Sequence, residues 1–322
     1  MIDLDSFIQK LRSFDRAGIA QAITLIESNK ESDQDLADIL FQKLLPIKSA
    51  SYIIGVTGAP GVGKSCFIDV FGSKLAVLNK KIAILTYDPS SILSGGSLLG
   101  DKTRMMHLSQ HKNVFIRPSP SKSTLGGLGP KTFETLQLFQ ALGFDYIIIE
   151  SVGVGQSEID LASLVDCFIL LLAPGGGDDL QGLKKGILEF CDILLVNKAD
   201  QSLREMAEQT LHDYTYVAKA KKIPLHLISA LENQGIDDVI DIIKQQKPKN
   251  QKKQKDFIRH ILLAQMMDCL DKKISDDDVL SNVFNKYILS IEKNALTPHQ
   301  VLKDFLPKVI ESLGIMKKNN LS

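Results

Sequence analysis

The sequence predicts an α/β protein organised around a mostly parallel sheet, with helical arms before and after it. Three observations support this. Seven short apolar runs, at residues 52–57, 82–87, 114–116, 146–150, 167–172, 193–196 and 225–228, alternate with helical patterns. Most of the runs are continuously apolar, as strands covered on both faces must be. A glycine-rich turn follows the first run and opens an amphipathic segment, the strand–turn–helix arrangement of a right-handed crossover. Ligands of such sheets bind beyond the carboxyl ends of the strands, and each candidate motif falls at such an end.

Residues 1–48 carry apolar side chains at three-to-four spacing and read as a helical arm. Residues 49–246 hold the alternating runs, with helices expected at 64–78, 132–142, 180–190, 202–220 and 236–244. The charged stretch 244–255 lacks interleaved aromatics and reads as a solvated hinge in preference to a nucleic-acid patch. Within the last part, 247–322, helices are expected at 256–271, at 276–292 and from Pro298. Thr297, Pro298 and Gln300 form a capping signal, and Pro307 is expected to bend or split the final helix.

Composition excludes several classes. The 322 residues are 44% hydrophobic and 24% charged with zero formal net charge, which argues against a general nucleic-acid binder. Cys66, Cys167, Cys191 and Cys269 are far apart with no C-x-x-C, so free thiols in a reducing compartment are expected. No apolar run approaches the length of a membrane helix, and the first residues carry acids where a leader would carry Arg or Lys. The expected location is the cytoplasm, with neither membrane nor nucleic acid as partner. Of the six histidines, His107 and His111 alone have ligand spacing, but no Cys or HExxH acid accompanies them.

The turn after the first run is Gly58-Ala59-Pro60-Gly61-Val62-Gly63-Lys64-Ser65, followed by Cys66. It fits G-x-x-x-x-G-K-[ST], the P-loop. Glycines let successive N–H groups curl inward at phosphate oxygens, and the next helix adds its positive end. Lys64 is placed for the β/γ-phosphates and the Ser65 hydroxyl for Mg²⁺. After a later strand, Asn197-Lys198-Ala199-Asp200 fits N-K-x-D, in which Asp200 can accept from guanine N1–H and the exocyclic amine together. Adenine lacks that donor pair. Ser229-Ala230, with Leu231 beside it, follows the last strand and fits the element whose backbone supports the base. The three motifs in this order predict GTP and GDP as ligands.

Asp88, Asp101 and Glu150 are the acids expected near the metal, with Ser65. Lys64, Asp101 and Glu150 are the candidate catalytic residues. Where GTPases of the D-x-x-G-Q type place the water-orienting glutamine, this chain has Val154, with Gln156 two residues on. Slow intrinsic hydrolysis is expected, since positioning is most of phosphoryl-transfer catalysis. Lys102 and Arg104 are candidate charge stabilisers. The glycine-rich stretch at 174–185 reads equally as a mobile switch or as a loop leading into a helix.

GVTGAPGVGKS, DPSS…GGSLLGDKTRM, RPSPSKSTLGG, ESVGVGQSE, PGGGDDLQGLKKGI and NKAD together resemble the MeaB/ArgK/MMAA family of P-loop GTPases, from near the N-terminus to about Lys244. The resemblance implies a G domain between helical arms and a homodimer through the C-terminal arm. It implies Mg²⁺ at Ser65, Asp88, Asp101 and Glu150. It also implies a chaperone that loads or protects the cofactor of an adenosylcobalamin-dependent methylmalonyl-CoA-type mutase. An older label of the family, a kinase for arginine/ornithine transport, finds no amino-acid site here. Departures from the family pattern at Cys66, Ile92-Leu93 and Gly129-Pro130, and the lack of tryptophan, leave the nucleotide site untouched and bear on contacts to a client. The alternative reading is a nickel- or cobalt-insertion GTPase, whose usual His-rich tract or cysteine motif is missing.

Overall fold

A computed structural model describes residues 3–44, 51–88, 105–120, 130–151, 156–175, 186–246, 248, 251–293 and 295–312. The chain divides into two compact units, Met1–Phe257 and Ile258–Ser322. Its strands are β1 (Tyr52–Gly58), β2 (Ile82–Asp88), β3 (Val114–Pro120), β4 (Tyr146–Glu150), β5 (Cys167–Leu172), β6 (Ile193–Val196) and β7 (Leu225–Leu227). The described helices are α1 (Leu4–Arg12), α2 (Arg16–Glu27), α3 (Glu31–Leu44), α4 (Lys64–Val77), α5 (Met106–Gln110), α6 (Pro130–Ala141), α7 (Gln156–Leu164), α8 (Arg204–Lys221), α9 (Ile236–Gln245), α10 (Gln251–Asp276), α11 (Asp278–Glu292) and α12 (Pro298–Ser312).

The seven strands form one sheet in the order β3-β2-β4-β1-β5-β6-β7, and every neighbouring pair is parallel. The mostly parallel α/β architecture with flanking helices is therefore the observed one. β1 sits at the centre between β4 and β5, and its register sets Val56 beside Glu150 and Gly58 beside Leu171. The apolar runs explain the burial: all six residues of β5 and all four of β6 are buried. Phe67, Phe71 and Leu75 of α4 and Ile236, Val239, Ile240 and Ile243 of α9 cluster with Ile54, Val56, Ile148, Ile169 and Leu171 of the sheet. Each large apolar side chain buried in this way contributes ~1.5–3 kcal/mol relative to an exposed one. Such packing fixes α4, and with it the loop that precedes it.

The N-terminal helices belong to the same unit. α2 is capped by Asp15, which accepts from the Gly18 N–H at 2.9 Å. α2 and α3 pack against α6, and Phe14 meets the Phe144 ring at 5.1 Å. Arg16 donates to the carbonyl of His111, and Arg117 of β3 pairs with Glu27 at 2.5 Å. α5 is fastened to α4 by buried Asp69, which accepts from the Leu108 N–H at 2.8 Å and lies 2.9 Å from His107 Nδ1.

The second unit has its own small cluster of Leu280, Val301, Phe305 and Val309. Asp277 caps α11 by accepting from the Val279 and Leu280 N–H groups. Thr297 and Gln300 exchange hydrogen bonds at the start of α12, the reciprocal cap that the sequence signals.

Four local expectations change. β3 continues to Pro120 instead of ending near residue 116, because it is an edge strand paired only with β2, where a proline's missing N–H faces outward. The hinge expected at 244–255 is helical from Gln251, since Gln and Lys are good helix formers once Pro248 is passed. Pro307 lies inside α12 and does not split it. Of the helix expected at 180–190, residues 180–185 lie outside the described residues and Ile187–Glu189 form a 3-10 turn. All four cysteines are free; Cys167 and Cys191 are buried, Cys66 is intermediate and Cys269 is exposed. Among the described residues, no helix is long and apolar enough to cross a membrane.

Candidate nucleotide site

The motifs meet at the carboxyl end of the central strands. β1 ends at Gly58, whose φ of +147° and position leave no room for a side chain: a Cβ there would lie 2.5 Å from the Leu171 carbonyl oxygen. Gly63 begins α4 with φ +95°, and a Cβ would lie 2.6 Å from Asn197 Nδ2. Between them the loop turns on the Val62 N–H to Ala59 carbonyl contact at 3.3 Å, and buried Val62 roots it in the core. α4 starts as Phe67 N–H donates to the Gly63 carbonyl at 2.9 Å.

Lys64 folds back over this loop. Its ammonium donates to the carbonyls of Gly58 at 2.8 Å and Ala59 at 3.3 Å. Burial pushes the Lys64 pKa below the usual lysine range, while Glu150 and then Glu158 pull it back up. The Ser65 hydroxyl donates to Glu150 Oε1 at 2.9 Å, so these two candidate metal ligands are in direct contact. Burial, helped by Asp69 and Asp200, raises the pKa of the Cys66 thiol. Asp88 closes β2. The Asp88 side chain, all of Asp101, Lys102, Arg104 and Val154, and the Gln156 side chain lie outside the described residues, as do residues 176–185.

The N-K-x-D loop follows β6. Lys198 adopts a left-handed backbone, φ +62°, which swings the chain so that the Ala199 N–H donates to the Ile228 carbonyl at 3.1 Å. The Asp200 carboxylate accepts from the Ser229 hydroxyl at 3.0 Å, and that hydroxyl accepts from the Glu232 N–H at 3.0 Å. Leu231 is exposed beside buried Ala230. Asn197, itself buried, binds all three motifs together: Nδ2 donates to the Val62 carbonyl at 2.9 Å, and Oδ1 accepts from the Ala230 N–H at 3.1 Å. The glycine-rich loop, 135 residues before Asn197, and the loop 33 residues after it thus share one amide.

Beneath the phosphate loop lies a polar cluster that the motifs do not announce. The Ser151 hydroxyl donates to Thr57 Oγ1 at 2.8 Å, and Thr57 donates to Glu158 Oε1 at 2.5 Å. All three residues are buried. The available signal was polarity at strand ends: Thr57 follows the apolar stretch of β1, and Ser151 follows Glu150 at the end of β4.

This fold and this site define a P-loop GTPase. The family model described as methylmalonyl Co-A mutase-associated GTPase MeaB matches residues 19–286. The chain belongs to that family, and GTP hydrolysis is its enzyme class. A protein of Caulobacter vibrioides is 47% identical over 243 residues, 73% of this chain and 74% of its own. GTPase ArgK of Escherichia coli is 38% identical over 312 residues, covering 92% of this chain and 93% of its own. The crystal structure of a LAO/AO transport system kinase superposes with a TM-score of 0.70 at 29% identity, covering 96% of this chain and 99% of that one.

Because Asn197 joins the loops, Asn197→Ala strands the Val62 carbonyl and the Ala230 N–H in a buried setting. The expected cost is ~1–3 kcal/mol for each stranded group, read as a lower urea midpoint. An unchanged midpoint would show that the loops hold their places without it.

Proposed function

We propose that the chain binds GTP and GDP across the Asn197-linked loops and couples hydrolysis to an adenosylcobalamin-dependent methylmalonyl-CoA-type mutase in the cytoplasm, loading or protecting that enzyme's cofactor. The observation that carries the nucleotide reading is the single amide holding the phosphate loop and both base loops in one arrangement. The family's association with methylmalonyl-CoA mutase supports the choice of client.

In this reading the amides of Gly58, Ala59, Pro60-flanking Gly61, Val62, Gly63, Lys64, Ser65 and Cys66 surround the phosphates, apart from proline, which has no N–H to give. Lys64 exchanges its two loop carbonyls for phosphate oxygens. Asp200, oriented by Ser229, accepts from guanine, while Ala230 and Leu231 line the base and Lys198 flanks it. A site built around paired donors discriminates strongly against a base lacking them. The metal site passes a test of fit: Ser65 and Glu150 bring two oxygen donors into contact, the hard ligand set suited to Mg²⁺. Asp88 and Asp101 would complete the set. Bound Mg²⁺ would supply charge neutralisation for the β- and γ-phosphate oxygens. Glu150 and Asp101 are the acids assigned to orient the reacting groups beside Lys64. With valine at position 154, no glutamine side chain at that position orients water, so turnover is slow without the client.

The second unit supports a homodimer. Leu262, Leu263, Met266 and Met267 form an exposed apolar stripe along α10, and Val279, Leu289, Leu302 and Leu306 are exposed on α11 and α12. Sedimentation equilibrium is expected to give a dimer, with Leu263→Glu/Met267→Glu giving a monomer that retains turnover. A monomeric parent chain would contradict the assignment.

Steady-state kinetics test the nucleotide and client readings together. Asp200→Ala is expected to reduce GTP-over-ATP preference by at least about 100-fold. Lys64→Ala is expected to lower turnover by about 10²–10³-fold, the loss typical of removing one transition-state donor. Methylmalonyl-CoA mutase is expected to raise the parent chain's kcat. Unaltered selectivity in the aspartate variant would place base recognition elsewhere, and indifference to the mutase would remove it as client.

A further inference from the structure

Glu158 is a buried carboxylate that the nucleotide reading leaves unused. It stands in the first turn of α7, only 3% exposed. Burying a carboxylate without compensation is costly. Three features compensate it. Thr57 donates to it at 2.5 Å, the length of a hydroxyl bond to a charged oxygen. The N-terminus of α7 supplies positive potential. Lys64 is within electrostatic reach and has its charge favoured by Glu158.

What the carboxylate holds is as informative as what compensates it. Thr57 is the residue before Gly58, so it forms the root of the phosphate loop. Ser151 is the residue after Glu150, and its hydroxyl donates to Thr57 at 2.8 Å. Its N–H also donates to the Val56 carbonyl at 3.0 Å, continuing the β1–β4 pairing past Glu150. One chain of hydrogen bonds therefore runs from the residue after Glu150, through the residue before the loop, to Glu158. Serine and threonine hydroxyls can donate in either direction, but only an acceptor at the far end orders both bonds one way. Glu158 supplies that acceptor.

We propose that Glu158 is a positioning residue for phosphoryl transfer, anchoring the Ser151–Thr57 hydroxyl chain so that Glu150 and the phosphate loop keep a fixed separation. This rests on the reading of Ser65 and Glu150 as Mg²⁺ ligands and Lys64 as the phosphate lysine. Glu158 acts through these groups and touches neither nucleotide nor metal. Its loss is felt as displaced ligands, not as lost binding contacts, and a displacement of about 1 Å at reacting groups can cost of the order of 100-fold in rate.

The test is GTP turnover by the full chain across GTP and Mg²⁺ concentrations, for the parent, Glu158→Gln, Thr57→Val and the double variant, with thermal unfolding of each. Glu158→Gln keeps shape but replaces the acceptor-only carboxylate with an amide that accepts more weakly and can also donate, so the one-way order of the chain is lost. The expected result is a kcat loss of about 10–100-fold with KM for GTP within about threefold, and a higher Mg²⁺ concentration for half-maximal rate. The double variant is expected to match the worse single variant within about twofold, because both break one chain. Should Glu158→Gln fail to fold, Ser151→Ala is expected to show the same kcat and Mg²⁺ changes. Parental kcat and Mg²⁺ dependence in folded Glu158→Gln, or losses that multiply in the double variant, would overturn the proposal while leaving the GTPase reading intact. A parent chain without GTP turnover would overturn both.

Discussion

The site depends on one buried side chain amide. Asn197 spends its donor on the phosphate loop and its acceptor on the loop after β7, and it is too buried for water to replace either partner. Gly63 is tied to the same constraint, since any Cβ there would collide with the amide nitrogen. The parallel sheet brings the three loops to one edge, but only to within the tolerance of packed strands. The Asn197 hydrogen bonds convert that proximity into fixed geometry between the loop before α4 and the loop after β7.

The charges around the loop follow a similar logic. Lys64 is held by its own loop carbonyls, with Glu150 and Glu158 offsetting the effect of burial. The Ser65 hydroxyl is engaged by Glu150. Cation, hydroxyl and carboxylates thus satisfy one another around the place proposed for phosphates and metal. Such an arrangement is preorganised: in the proposed reading, nucleotide and metal would replace these contacts as partners of groups already held in place.

Much of this was legible in the sequence, for physical reasons. Continuous apolar runs mark doubly covered strands, and fixed-spacing motifs mark the loops between them, so the parallel sheet and the loop order follow directly. β3 runs past its apolar stretch 114–116 because its place at the edge of the sheet accommodates Pro118 and Pro120. The start of α10 was hidden because a charged run carries no apolar periodicity. Within the site, spacing marked Asn197 as part of a candidate base reader but could not reveal that its amide also grips Val62, a contact across 135 positions. Glu158 was invisible for the same reason: nothing local distinguishes it from an acid in the first turn of any helix.

Hydrogen–deuterium exchange on the full chain, with and without GDP and Mg²⁺, tests the central claim most directly, because it reads the three loops separately. The account predicts slowed exchange in residues 58–66, 197–200 and 229–231 together, at the same nucleotide concentration. Protection of the phosphate loop alone, or no change at any of the three, would contradict it.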